Sequence, residues 1–132
     1  MMVDKDKLQK MADEFGLDLI VLFGSSATGK THKGSDVDIA VKAEKKLDIL
    51  ELAKIQLAFS EALGRGDVEV VDIRSASPLL LRQLTEQGQA LYAKDPDDFA
   101  RLRMYAFKIY VETKPLREYG KRYLENFINN RG

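Results

Sequence analysis

Leu22 to Val41 reads LFGSSATGKTHKGSDVDIAV, and the fold turns on how those letters are parsed. The apolar run Leu17 to Phe23 (LDLIVLF) leads into it and has the length of a strand. Its nearly continuous apolar character predicts a strand covered on both faces. Gly24 and Ser25 break that strand, and Ser26 to Lys30 leaves room for a turn or two of helix at most. Ser35 to Val41 is strand-like again, with Val37, Ile39 and Val41 on one face and Asp36, Asp38 and Ala40 on the other.

Two phosphate-binding patterns overlap here. Gly24 to Thr31, GSSATGKT, matches G-x-x-x-x-G-K-[ST] letter for letter. That pattern holds phosphate only when its Lys-Thr opens a long helix whose N-terminus faces the anion. Thr31 is followed by His32, Lys33, Gly34 and the strand SDVDIAV, which leaves no room for such a helix. The match is therefore read as coincidental.

The second pattern joins Gly24 and Ser25 to Asp36 and Asp38, across a ten-residue spacer. Alternate strand residues point the same way, so the two carboxylates stand roughly 7 Å apart at Cα on one face. That spacing suits one Mg²⁺ or a pair of ions about 4 Å apart. Mg²⁺ takes one or two carboxylates and fills its sphere with phosphate oxygens and water. Gly24, lacking a side chain, lets a phosphate approach its backbone. Ser25 can cap the short helix that follows, offering a hydroxyl and free N–H groups to a triphosphate. Asp-x-Asp alone is as well read as a solvated strand end; strand, Gly-Ser, spacer and strand together favour a nucleotide-triphosphate and metal site.

Around this stretch the chain alternates helices and strands. Asp4 to Phe15 carries Leu8, Met11, Ala12 and Phe15 at helical spacing, with Gly16 as its stop. Lys45 to Leu63 is expected as a long helix ended by Gly64 to Gly66, and Asp67 to Ile73 (DVEVVDI) as a third strand. Ser77-Pro78 signals a helix start, running to about Glu86 before Gly88, and Ala90 to Ala93 is a short edge strand. Asp95-Pro96 repeats the start signal for a C-terminal helical stripe, which Pro115 is expected to kink or divide. Tyr105, Tyr110, Tyr119 and Tyr123 decorate that segment as core or partner-interface aromatics. His32, the only histidine, reads as a polar loop residue.

The 132 residues suit one domain, spanning 1–132, and no linker parts it. The formal net charge of zero gives no electrostatic reason for a nucleic-acid partner. The absence of cysteine removes disulfide and thiolate chemistry. The charged start MMVDKDKLQKMADEFG lacks the apolar core of a signal peptide, and no run reaches membrane-spanning length, so a cytoplasmic location is expected.

On Gly24, Ser25, Asp36 and Asp38, with the flanking LFGS and SDVDIAV, the chain resembles the DNA polymerase beta-like nucleotidyltransferase superfamily. More narrowly, it resembles the minimal nucleotidyltransferase (MNT) domains, including the MntA-type antitoxins of HEPN/MNT toxin–antitoxin systems. The order of elements is similar along almost the whole length. The resemblance implies an α/β (α+β) fold, a small mixed β-sheet flanked by helices, with C-terminal helices from about residue 77 packing on the core or on a partner.

It also implies chemistry. Asp36 and Asp38 would hold Mg²⁺, as two ions, with ATP as the nucleotide donor and Gly24 and Ser25 as the nucleotide-binding turn. A third carboxylate belongs on the strand after the long helix. Glu69, in Val68-Glu69-Val70, takes that place as a Glu where the family usually has Asp, completing the site beside the acceptor hydroxyl as metal ligand or base, and Asp72 is the weaker candidate on the opposite face. The implied acceptor is a tyrosine hydroxyl on a partner HEPN ribonuclease toxin, silenced by adenylylation, with no direct nucleic-acid or membrane partner. Many members carry Arg-Ala-Arg-Gly after Gly-Ser, where this chain has Ser26-Ala27-Thr28-Gly29, so two phosphate-facing cations are missing unless Lys30 or Lys33 compensates. An aminoglycoside-type small-molecule transferase and a non-catalytic, toxin-binding antitoxin are the alternatives.

Overall fold

The computed structural model describes residues 4–24 and 37–130. Helix α1 (Lys5–Phe15) is capped by the Asp4 carboxylate, which accepts from the Asp6 N–H at 2.9 Å, and ends at Gly16 in the left-handed conformation. Strands β1 (Leu17–Phe23) and β2 (Val37–Ala43) follow. Helix α2 (Ile49–Leu63) starts later than the periodicity of its apolar residues predicts. The cause is a capping box. Asp48 accepts from the Glu51 N–H at 2.7 Å, and the Glu51 carboxylate accepts from the Asp48 N–H at 3.3 Å. Strand β3 (Val68–Asp72), a single 3₁₀ turn at Ile73–Ser75, helix α3 (Pro78–Gln87) and strand β4 (Gln89–Ala93) come next. Ser77 caps α3, accepting from the Leu80 N–H at 3.2 Å, with Pro78 at the first helical position, as the sequence predicts.

The four strands form one mixed sheet in the order β3-β2-β1-β4. β1 is antiparallel to both β2 and β4, while β2 and β3 are parallel. β1, one of the two inner strands, is buried along almost its whole length, which is why its sequence shows little alternation. Leu17, Ile20, Leu22, Val37, Ile39, Val41, Val68 and Val70 pack one face against Leu8 and Met11 of α1 and Ile55 and Phe59 of α2. Leu19, Val21, Phe23 and Ala40 pack the other against Leu81 and Leu84 of α3 and Ala106 of the last helix. Each fully buried large aliphatic or phenyl side chain contributes about 1.5–3 kcal/mol of hydrophobic stabilisation.

The last helix, α4 (Asp98–Asn129), begins two residues after Pro96 and runs for 32 residues. Pro115 does not divide it. The proline removes one interior donor, and side chains on either side of it donate to main-chain carbonyls of the turn before. Thr113 Oγ1 donates to the Ile109 carbonyl at 2.7 Å, and Arg117 Nη2 donates to the Tyr110 carbonyl at 2.9 Å. Near its start the helix is tied to the sheet by Asp98, whose two carboxylate oxygens each accept from Lys42 Nζ at 2.9 Å. No helix among the described residues is long and apolar enough to cross a membrane.

Candidate active site

The sheet brings two of the predicted carboxylates side by side. Asp38 is paired in register with Glu69 across the parallel β2–β3 ladder, and with Phe23 across the antiparallel β1–β2 ladder. Directly paired residues project to the same side of a sheet, roughly 5 Å apart at Cα. Phe23 belongs to the apolar cluster on the α3/α4 side, so Asp38 and Glu69 face that side too, at the end of the sheet where β1 finishes and β2 and β3 begin. Asp38 is half-buried there and Glu69 is exposed.

Gly24 closes the site from β1. Its φ is 77°, a region that side chains rarely adopt. A Cβ placed on it would lie 2.4 Å from Oδ2 of Asp38. The glycine is thus required twice, by the backbone turn and by the carboxylate lying against it. Whatever the Asp38 carboxylate binds also lies beside the Gly24 main chain.

The strand carrying Glu69 is an edge strand, and it is held in place by neighbours that periodicity does not reveal. The Val37 N–H donates to the Asp67 carbonyl at 3.0 Å, joining the starts of β2 and β3. Arg65 Nε donates to Asp67 Oδ1 at 2.7 Å. This hydrogen bond holds the Asp67 carboxyl below the usual carboxylate range, so the clamp is intact at neutral pH and is lost as the pH falls through that lowered value. On the outer edge, Gln56 Oε1 of α2 accepts from the Val70 N–H at 3.3 Å. The only sequence signal for Asp67–Arg65 was the short turn at Gly64 to Gly66; Gln56 gave none.

Asp72 has a different role. It is 4% exposed, three residues beyond Glu69 on the opposite side of β3, and its carboxylate accepts from the Leu47 N–H at 2.9 Å, the Arg74 N–H at 3.0 Å and Ser75 Oγ at 3.3 Å. It is a buried acceptor that fixes the approach to α2 and the 3₁₀ turn. Asp72→Ala is expected to lower stability by about 2 kcal/mol, because the Leu47 and Arg74 donors lose a charged partner. Denaturant unfolding checks this.

Ser25 and Asp36 lie outside the described residues, as do Ser26, Thr28, Lys30, His32 and Lys33. Among the described residues no cluster of three or more acidic or histidine side chains forms a ready metal cage. Asp38 and Glu69 nevertheless suit a hard cation: both offer carboxylate oxygens, they are in register, and Gly24 leaves a phosphate access to the main chain.

The half-buried Asp38, in register with Glu69 and against the left-handed Gly24, puts two carboxylates and an accessible main chain at one end of the mixed sheet. Residues 6–97 match the family profile described as "Polymerase beta, Nucleotidyltransferase", and the chain belongs to that family. Among individual relatives, it is 43% identical over 82 residues to the "Protein adenylyltransferase MntA" of Shewanella oneidensis, a stretch covering 62% of this chain and 58% of that relative. The chain thus matches somewhat over half the length of that protein. It is 26% identical to the "Protein adenylyltransferase MntA" of Aphanizomenon flos-aquae over 125 residues, 88% of this chain and 83% of that one. In three dimensions it is similar to a crystal structure described as "the toxin-antitoxin with AMP-PNP", with a TM-score of 0.80, 30% identity, and 93% of this chain and 99% of that chain covered. It is also similar to the structure of a tri-AMPylated Shewanella oneidensis HEPN toxin in complex with MNT antitoxin, with a TM-score of 0.73, 28% identity, and 92% of this chain and 95% of that chain covered.

Proposed function

We propose that this chain is a single-domain antitoxin of the cytoplasm, a Mg²⁺-dependent adenylyltransferase that transfers AMP from ATP to a tyrosine of a partner HEPN toxin and so neutralises it. The observation that carries the reading is the Asp38–Glu69 register against Gly24, in a chain whose likenesses are adenylyltransferases and toxin–antitoxin complexes.

In the proposed reaction the tyrosine oxygen bonds to the α-phosphorus of ATP. The bond from that phosphorus to the bridging oxygen breaks, and pyrophosphate departs with the electron pair. Asp38, with Asp36 two residues before it in the sequence, would hold Mg²⁺, two ions in the full arrangement, beside the triphosphate. Bound there, the cation supplies neutralisation of charge on the departing pyrophosphate and acidification of the acceptor hydroxyl. Gly24 and Ser25 would seat the phosphates. Glu69, the more exposed carboxylate, would complete the site beside the acceptor hydroxyl and take the tyrosine proton at a carboxylate oxygen. The strand pairing fixes the distance between the two acidic groups before substrate arrives, and such positioning is a large part of the rate in phosphoryl-group chemistry.

Glu69→Gln is expected to slow single-turnover transfer about 10²-fold while leaving the unfolding midpoint unchanged, since this side chain is exposed. The whole reading is tested by producing the chain together with the HEPN-domain protein of its own genome and weighing that protein intact. One or more AMP increments with the wild type, absent with Asp38→Asn, are expected. An unmodified partner in both cases would overturn it.

A further inference from the structure

The register that sets Asp38 beside Glu69 is exposed to fraying. β3 is five residues long, lies at the edge of the sheet and is laddered to β2 alone. Asp38–Glu69 is the second pair of that ladder, directly after Val37–Val68. The ends of a strand ladder open more readily than its middle, and here the two carboxylates stand near an end. On the outer side of β3, Gln56 holds the Val70 N–H at 3.3 Å, one residue past Glu69. That bond does not secure the start of the strand.

Asp67 secures it. Its carbonyl accepts from the Val37 N–H at 3.0 Å, the rung just ahead of the Asp38–Glu69 pair. Its carboxylate is gripped at two points by Arg65, whose Nε donates to Oδ1 at 2.7 Å and whose Nη2 donates to Oδ2. A two-point contact between a guanidinium and a carboxylate fixes orientation as well as distance. Arg65 is anchored in turn, its N–H donating to the Ser60 carbonyl in the last turn of α2 at 3.1 Å. A path of hydrogen bonds thus runs from the end of α2 through Arg65 and Asp67 to the first residue of β2.

As a stability device this ion pair is poorly placed. The two side chains are 37% and 32% exposed, and a pair in such a setting contributes little to folding. What it can do is hold two strand starts at a fixed offset. Asp38 follows Val37 directly, and Glu69 lies two residues after Asp67. We infer that Arg65 and Asp67 are positioning residues for nucleotidyl transfer: their ion pair pins the Asp67 carbonyl to the Val37 N–H and so holds Glu69 opposite Asp38. This rests on the proposed function for the reaction served, and it gives neither residue a contact with substrate. It also divides the labour of the two aspartates that flank Glu69. Asp72 ties down the entry to α2 and the 3₁₀ turn, whereas Asp67 ties down the site end of β3.

The test uses Arg65→Ala, Asp67→Ala, the two together, and Asp67→Ala combined with Glu69→Gln. Three quantities are measured on each: single-turnover AMP transfer to the HEPN-domain protein of the same genome, hydrogen exchange at the Val37 amide, and denaturant unfolding. Each single alanine should slow transfer about tenfold, less than the roughly 10²-fold that accompanies a 1 Å misplacement. The Arg65/Asp67 double variant should be no slower than either single one, because each removes the same pair. Exchange at Val37 should quicken while the unfolding midpoint stays close to that of the wild type. In the Glu69→Gln background, Asp67→Ala should cost little further rate; a merely structural role gives the same loss in both backgrounds. Undiminished transfer by Asp67→Ala, an equal loss in the Glu69→Gln background, or a loss that follows the unfolded fraction would overturn the inference and leave the proposed function standing. A wild-type chain that never modifies the HEPN-domain protein would overturn the proposed function, and the inference with it.

Discussion

Asp38→Asn is expected to reduce adenylyl transfer on the order of 10³-fold or more, with little change in folding stability. The substitution keeps the size of the side chain and its fit against Gly24, and it removes the charge that a cation and a triphosphate require. Asp38 is half-buried at a sheet end, and the hydrophobic clusters on both faces do not include it. Loss of activity without loss of fold therefore separates a chemical role from a packing role. Single-turnover transfer at saturating ATP, alongside thermal unfolding, makes the separation. A variant that unfolds early would show instead that Asp38 serves the sheet. A variant that retains most of its transfer rate would remove it from the site.

Gly24→Ala comes next in size. The left-handed backbone at 77° costs alanine roughly 1–2 kcal/mol. The new methyl, placed 2.4 Å from Asp38 Oδ2, has to be relieved by rotation of the carboxylate or a shift of the turn. A displacement on the scale of 1 Å at a reacting centre costs about 10²-fold in rate, and that is the expected loss of transfer. The decisive measurement is the double variant. Because Gly24 is argued to act through the position of Asp38, Gly24→Ala should cost far less in an Asp38→Asn background than alone. Additive losses would mean that the glycine works independently, through the phosphate-binding turn alone.

The parts of this protein legible from sequence are those set by local chemistry. The apolar continuity of Leu17 to Phe23 revealed an inner strand because both sheet faces are covered. Ser77-Pro78 and the glycines at 16 and 64 marked helix ends because caps are local hydrogen-bonding problems. The start of α2 is not legible from periodicity because the apolar pattern extends back to Leu47, whereas the Asp48–Glu51 capping box decides the boundary. Leu47 itself is buried at the entry to the helix, its N–H held by Asp72. Pro115 argued for a break, and α4 continues through it with Thr113 and Arg117 bonded to carbonyls of the preceding turn.

For the site, strand alternation separated Glu69 from Asp72, since a shift of three residues changes the face. Alternation alone did not reveal that Asp38 and Glu69 are direct neighbours, which depends on the parallel register of β2 with β3. Register is a tertiary property, fixed here by Asp67 and by the packing of both strands on α2. The contact between Gly24 and Asp38 was equally hidden, because it joins two ends of an antiparallel pair across the spacer.

The most direct measurement is label transfer with Mg²⁺ and the HEPN-domain protein of the same genome, using ATP labelled at the α-phosphate or at the γ-phosphate. The expected result is a partner labelled from α-ATP by the wild type, with no label from γ-ATP and none from Asp38→Asn. Label arriving from the γ-phosphate would mean phosphoryl rather than nucleotidyl transfer, and would contradict the function assigned to Asp38, Glu69 and Gly24.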